Sequence, residues 1–208
     1  MYRIVEPAMG EAARRASGRL LDIGCGEKQW AQAFAPYVSE HVGVDHEDTP
    51  HDLTKADLVG SAYELPVEDG SFDTVLCTAV LEHLEEPAAA LREARRVLRG
   101  GGVAIYTVPF IWHVHEAPRD FFRYSRYGIE HLFGEAGFEI EELRPLSGFW
   151  VTFGTMLAYY LHTRRRGPIR FRLYPLITRP LLAAAYRLDR HDPDESWTWA
   201  YLVVARAA

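Results

Sequence analysis

From residue 19 onward the chain alternates short apolar runs with apolar positions at helical spacing. Residues 19–24 (RLLDIG) are apolar, brief and closed by glycine, which reads as a buried strand. Trp30, Phe34 and Tyr37 follow at i, i+4 and i+7, one face of a helix. Residues 42–45 and 72–77 are two further strands, the second after the turn residues 68–71. Pro87 opens a helix reaching Arg99, with Leu91, Ala94 and Leu98 on one face and three glycines just past its end. A strand over 102–108 comes next. Ser125 then caps a helix carrying Ile129, Leu132, Phe133 and Ala136, which Gly137 ends. Residues 138–143 and 199–206 read as the last two strands. Strands alternating with helices predict a doubly wound α/β fold, its mostly parallel sheet covered on both faces.

The 208 residues suit one domain, 48% hydrophobic and 25% charged. Two cysteines, Cys25 and Cys77, are too few for a disulfide framework or a cysteine-rich zinc site. The first 18 residues hold no apolar signal core, and the longest apolar stretch, 149–161, is too short to span a bilayer. The expectation is a cytoplasmic protein. Net charge is −6, which argues against nucleic acid as a partner. That mean hides an asymmetry: residues 1–150 hold 14 basic and 25 acidic side chains, residues 151–208 hold 9 and 4.

The segment Leu21-Asp22-Ile23-Gly24-Cys25-Gly26 lies where the first strand gives way to a helix. Glycines there let a ligand approach the backbone, and Asp45, ending the second strand about 20 residues on, stands where a ribose diol is gripped. A dinucleotide site favours a third glycine where this chain has Gln29, and Glu27 would sit against a pyrophosphate. Both features disfavour a nicotinamide-linked oxidoreductase and favour a cofactor without phosphates.

These segments resemble the class I S-adenosylmethionine-dependent methyltransferases, particularly the ubiquinone/menaquinone-type (type 11) branch. The resemblance rests on LLDIGCG, HVGVD, the run from Gly60 to Gly102 containing LPVEDGSFD, LEHL and ARRVLRGGG, and AIYTVP, together about residues 19–109. It implies a Rossmann-like seven-stranded sheet with an antiparallel last strand, and S-adenosylmethionine as cofactor. It further implies that Asp22, Gly24, Cys25 and Gly26 line the methionine end, that Asp45 with His46 holds the ribose, that Ser61, Ala62 and Tyr63 cover the adenine, and that Thr78 and Ala79 pass beneath the methionyl part. The family usually carries an acid where Ser61 stands, so a neutral group replaces a charged acceptor for the adenine amine. His83, in the LEHL string, reads either as a residue near the substrate mouth or as one ordering the segment before Pro87.

After the strand over 102–108 comes a stretch dense in aromatic and titratable groups, 109–125, at the carboxyl edge where open α/β sheets bind ligands. His113 and His115 are candidate general bases, with Asp120 or Glu116 orienting them. Glu116, Arg119, Asp120 and Arg123 could equally form a salt-bridged lid over the cofactor. His113-x-His115-Glu116 is a thin ligand set, so no metal is assigned. The expected reaction is methyl transfer, chiefly to oxygen, on a small-molecule or lipid- or glycan-linked acceptor. A non-catalytic scaffold that binds the same cofactor is the other reading.

Residues 147–195 form a helical insertion within the single domain, 1–208. Phe149, Phe153, Met156, Leu157, Tyr160 and Leu161 make an apolar helical face, Arg164, Arg165, Arg166, Arg170 and Arg172 a basic cluster, and Pro175 and Pro180 break the apolar stretch 173–188. The face either packs on the sheet or a second subunit, or gives peripheral membrane contact through 149–188 with the arginines on anionic headgroups. A monomer or a homodimer is expected.

Overall fold

A computed structural model describes residues 2–49, 52–164 and 168–208. Its sheet has seven strands: β1 Arg19–Ile23, β2 Glu40–Asp45, β3 Leu58–Val59, β4 Phe72–Thr78, β5 Leu98–Pro109, β6 Phe138–Pro145 and β7 Ala200–Ala207. They lie in the order β3-β2-β1-β4-β5-β7-β6. β7 runs antiparallel between β5 and β6, and the other pairings are parallel. The order reverses beside β1, which brings the loops after β1, β2 and β4 to one edge.

Alternate residues of each strand serve opposite faces. Leu21, Ile23, Val75, Cys77, Ala104 and Tyr106 join the helices α3 (Pro87–Val97) and α4 (Arg126–Glu135) through Leu91, Ala94, Ile129 and Phe133. Leu20, Leu76, Ile105, Leu202 and Val204 join α1 (Tyr2–Ala12) and α2 (Ala31–Phe34) through Val5, Met9, Trp30 and Phe34. Both faces of the central strands are thus dry, as a parallel sheet requires.

Several boundaries differ from the sequence expectation. The second helix holds only four residues, and Tyr37 lies outside it, exposed. The helix begun by Pro87 stops at Val97, because Leu98 already pairs with Phe72 as the first residue of β5. α1 and the two-residue β3 had no pattern strong enough to announce them.

The insertion between β6 and β7 is a helical pair, α5 (Phe149–Thr163) and α6 (Pro168–His191). α6 runs unbroken through Pro175 and Pro180, where a break was expected. Each proline removes one amide donor from the helix. The apolar face of α5 is not packed on the sheet. α5 turns its small residues Val151, Thr152, Gly154, Thr155 and Ala158 inward, while Phe153, Leu157 and Tyr160 remain exposed. Close approach explains the choice: a β-carbon at Gly154 would stand 2.9 Å from Ala185 Cβ on α6. Of the basic cluster, Arg164 lies over the Tyr160 ring at 5.0 Å. Arg165, Arg166 and the side chains of Arg170 and Arg172 lie outside the described residues.

Asp189 of α6 caps α5. Its Oδ2 accepts from Gly148 N at 2.8 Å and its Oδ1 from the amides of Trp150 and Val151 at 2.8 and 3.2 Å. A carboxylate here satisfies donors that the helix leaves open and meets its positive end. Asp189→Ala is expected to cost about 1–2 kcal/mol, read in a thermal melt as a fall of about 2–8 °C.

Candidate active site

β1 ends in a turn through Gly24 and Gly26, at φ 67° and 48°. Gly24 and Cys25 donate their amides to Val44 O at 2.9 and 3.2 Å, which ties the turn to β2. A β-carbon at Gly24 would collide with Val80 in the loop after β4, so only glycine lets the two loops meet. Asp45, the last residue of β2, is buried. Its Oδ2 accepts from Gly26 N and its Oδ1 from His46 N, both at 2.8 Å. Each oxygen retains a further lone pair for a ligand.

Asp22 sits on β1 just before the glycine turn. It is buried and pairs with His41 Nε2 at 3.0 Å, burial raising its pKa while His41 pulls it down. Burial, with the charges of Asp22 and Asp45, pushes the Cys25 thiol up to about 12, so Cys25 is no nucleophile at neutral pH.

Ser61 Oγ accepts from Tyr63 N at 3.2 Å, and the exposed Tyr63 accepts at its hydroxyl from Glu86 N at 3.2 Å. Ala62 packs against the core. Thr78 ends β4, and Ala79, at φ 54°, donates its amide to Thr107 O at 3.0 Å. The expected cofactor residues therefore gather at one edge of the sheet.

Glu93 and Arg96, which the sequence does not single out, dock the segment following Ser61–Tyr63 onto α3. Glu93 Oε1 accepts from Leu65 N at 2.7 Å, and Arg96 donates to the carbonyls of Leu65 and Val67 at 3.1 and 3.0 Å as well as to Glu93. Their i, i+3 spacing was the available signal. Glu93→Ala is expected to weaken cofactor binding about three- to tenfold by freeing this segment, measured by calorimetric titration with S-adenosylhomocysteine.

The segment after β5 folds onto the turn after β4. Phe121 and Phe122 donate their amides to Glu82 O at 2.9 and 3.3 Å, and the Tyr124 hydroxyl donates to Leu81 O at 2.9 Å. Arg123 organises the loop. It grips Asp120 with two nitrogens at 2.6 and 2.8 Å and donates to the carbonyls of His113, Phe122 and Trp112 at 2.8, 2.7 and 3.3 Å. The guanidinium holds the Asp120 carboxyl well below the usual carboxylate range. Asp120 also accepts from His115 N at 2.8 Å. Of the expected lid, Arg119 turns elsewhere, to Asp48 at 3.4 Å, and Glu116 faces His83 at 3.7 Å.

His113 and His115 part company. His113 stacks on Tyr159 of α5 with ring centres 4.6 Å apart, and its Nδ1 lies 2.6 Å from Val114 O. His115 instead meets His83, ring centres 4.8 Å apart, and its Nε2 is 3.9 Å from Glu82 Oε1. Burial, then the neighbouring His83, lowers the His115 pKa, so the imidazole is neutral at pH 7. Glu82 is 1% exposed, and burial pushes its carboxyl up to about 8. The LEHL string contained Glu82, but an acid in a short turn carries no periodic sign of burial.

Residues 21–106 match the family model described as a methyltransferase domain. That matched segment resembles a methyltransferase domain. Curated relatives include an uncharacterized methyltransferase, YcgJ, of Bacillus subtilis, 34% identical over 117 residues that cover 51% of this chain and 44% of that protein. A "probable S-adenosylmethionine-dependent methyltransferase" of Mycolicibacterium smegmatis is 34% identical over 52% of this chain and 45% of its own length. The match thus spans less than half the length of these relatives. Among solved structures, an S-adenosylmethionine-dependent methyltransferase from Mesorhizobium loti superposes with a TM-score of 0.63 at 18% identity, covering 98% of this chain and 97% of that one. The [4+2]-cyclase SpnF gives 0.64 at 22%, covering 98% and 80%. At these identities the likeness concerns the fold, and the chemistry of the site must be read from this chain's own residues.

Proposed function

We propose that the protein transfers a methyl group from S-adenosylmethionine to an oxygen of a small-molecule or lipid- or glycan-linked acceptor. One observation carries the reading: the His115 loop is docked on the Glu82–His83 turn at the same sheet edge as Asp45 and the Gly24–Gly26 turn. The cofactor residues fit a nucleoside with a cationic, phosphate-free tail. Asp45 offers two fixed carboxylate oxygens to a diol, and the open Gly24 backbone admits a close ligand. S-adenosylmethionine, when bound, supplies the methyl group from its sulfonium and leaves as S-adenosylhomocysteine.

The protein's own work is alignment and proton handling. Asp45 and the glycine turn fix the ribose and tail. The Arg123–Asp120 pair fixes the loop that is docked on the turn after β4. The cluster of Glu82, His83 and His115 would take the proton from the acceptor's hydroxyl. A neutral His115 has the lone pair this needs. The α5 face adds support for an amphipathic or lipid-linked acceptor: Phe153, Leu157 and Tyr160 are exposed on the helix whose Tyr159 walls the His113 loop. No described helix is long and apolar enough to cross a membrane.

The test is incubation with S-adenosylmethionine and a panel of hydroxyl and amine acceptors, with lipid-linked sugars offered in vesicles. The expected result is S-adenosylhomocysteine release with the methyl on an acceptor oxygen. Methyl found only on nitrogen or carbon would overturn the oxygen assignment.

A further inference from the structure

Three ligand-type atoms converge beside the Gly24–Asp45 edge of the sheet. His83 Nε2 lies 3.8 Å and His115 Nε2 3.9 Å from Glu82 Oε1. One donor atom from each of the three residues falls within 4.8 Å of the other two. His83 Nδ1 lies 2.5 Å from Arg119 O, an atom that can only accept, so in the neutral ring the proton sits on Nδ1 and the Nε2 lone pair faces Glu82. Neither carboxylate oxygen of Glu82 receives a hydrogen bond from another described residue, although the side chain is 1% exposed. A buried carboxyl that faces two imidazole Nε2 atoms and receives no hydrogen bond is costly unless a cation or a proton lies between them.

We infer that Glu82, His83 and His115 bind one divalent transition-metal ion, with Zn²⁺ the best match. Two imidazoles and one carboxylate, with no thiolate, are a zinc-type donor set that leaves a fourth position for an exchangeable oxygen ligand. Zinc bonds of about 2.0–2.1 Å at tetrahedral angles put ligand atoms about 3.3–3.4 Å apart, so modest side-chain rotation closes the present spacing. The surroundings are those of a built site. The Arg119 carbonyl orients His83, and His115 Nδ1 lies 3.4 Å from Asp120 Oδ2, the carboxylate Arg123 holds in place. Glu116 Oε2, 3.7 Å from His83 Nε2, guards the open side. The set differs from the His113-x-His115-Glu116 spacing visible in the sequence: His113 stacks away on Tyr159, and the turn after β4 supplies the missing ligands. At the fourth position an acceptor hydroxyl would be acidified by the ion instead of losing its proton to the cluster. That consequence rests on the methyl-transfer reading, whereas metal binding itself does not.

The experiment is equilibrium dialysis of the chelator-stripped full chain against Zn²⁺, Co²⁺ and Mg²⁺, with metal analysis and the visible spectrum of the cobalt form. Expected are one Zn²⁺ or Co²⁺ per chain, no competition by excess Mg²⁺, and the intense visible bands of tetrahedral cobalt. Glu82→Gln, His83→Asn and His115→Asn should each weaken binding at least tenfold. His131→Asn, which alters an exposed histidine of α4, should leave it unchanged. Circular-dichroism melts confirm that each variant is folded, and the conservative His83→Gln serves if His83→Asn is not. Sub-stoichiometric metal in the wild type, or wild-type affinity in the folded His83 and His115 variants, overturns the site. Because the readout is bound metal and not methyl transfer, its failure is distinct from failure of the enzymatic assignment.

Discussion

Asp45→Ala is expected to weaken S-adenosylhomocysteine binding at least tenfold. The carboxylate ends β2 with each oxygen fixed by a backbone amide, Gly26 N on one and His46 N on the other. A ribose presents two hydroxyl donors at the spacing of two carboxylate oxygens. A hydrogen bond to a charged acceptor contributes about 1.5–3 kcal/mol, which is roughly ten- to a hundredfold in affinity for even one of the pair. The same substitution frees the two amides, so the Gly24–Gly26 turn loosens as well. Asp45→Asn separates the effects: its single carbonyl oxygen keeps one anchor and one acceptor, and its affinity should fall between wild type and alanine. Calorimetric titration of the three proteins decides, and equal affinities would remove Asp45 from the site.

Arg123→Ala is expected to cost about 3 kcal/mol of stability and about a hundredfold in methyl transfer. Asp120 has a side chain only 2% exposed, and Arg123 supplies both contacts to its carboxylate oxygens apart from His115 N. Removing one partner of such a pair leaves a buried charge uncompensated. The low end of the usual penalty applies because Arg123 itself is 22% exposed. The expected melting decrease is about 6–12 °C. The activity loss follows from geometry, since three loop carbonyls lose the donor that holds His113 and His115 in place. Arg123→Lys should restore little, because an ammonium cannot reproduce the fork. The double variant Arg123→Ala/Asp120→Ala should be more stable than Arg123→Ala alone, since no orphaned carboxylate remains. A double variant that is less stable would show that the pair's charge is not what holds the loop.

The parts legible in the sequence were those with local periodicity or punctuation. The strand–glycine–helix opening, Pro87, the Ser125 cap and the glycines after α3 are short-range signals, and the sheet they imply is the one observed. β3 has two residues and α2 four, too few for a period to show. The buried face of α5 was not legible because large apolar residues at helical spacing suit a core, a second subunit or a membrane surface alike. Here the contact with α6 selects small residues at Gly154 and Ala158, and a sequence window cannot see its partner helix. The gathering of Gly24, Gly26, Asp45 and Thr78 at one edge was readable because they lie where successive strands end. The Glu82–His83–His115 cluster was not, because it joins residues 32 apart whose burial depends on how the 109–125 segment folds back. Arg123 makes that fold-back, and its several carbonyl contacts leave no trace in spacing.

The central claim is that the edge built by Gly24, Gly26 and Asp45 binds S-adenosylmethionine and its product. Calorimetric titration of the purified protein with S-adenosylhomocysteine tests it most directly. Micromolar binding at one site per chain, weakened by Asp45→Ala, is the predicted result. No heat of binding up to millimolar ligand, from a protein shown to be folded by its melt, would contradict it.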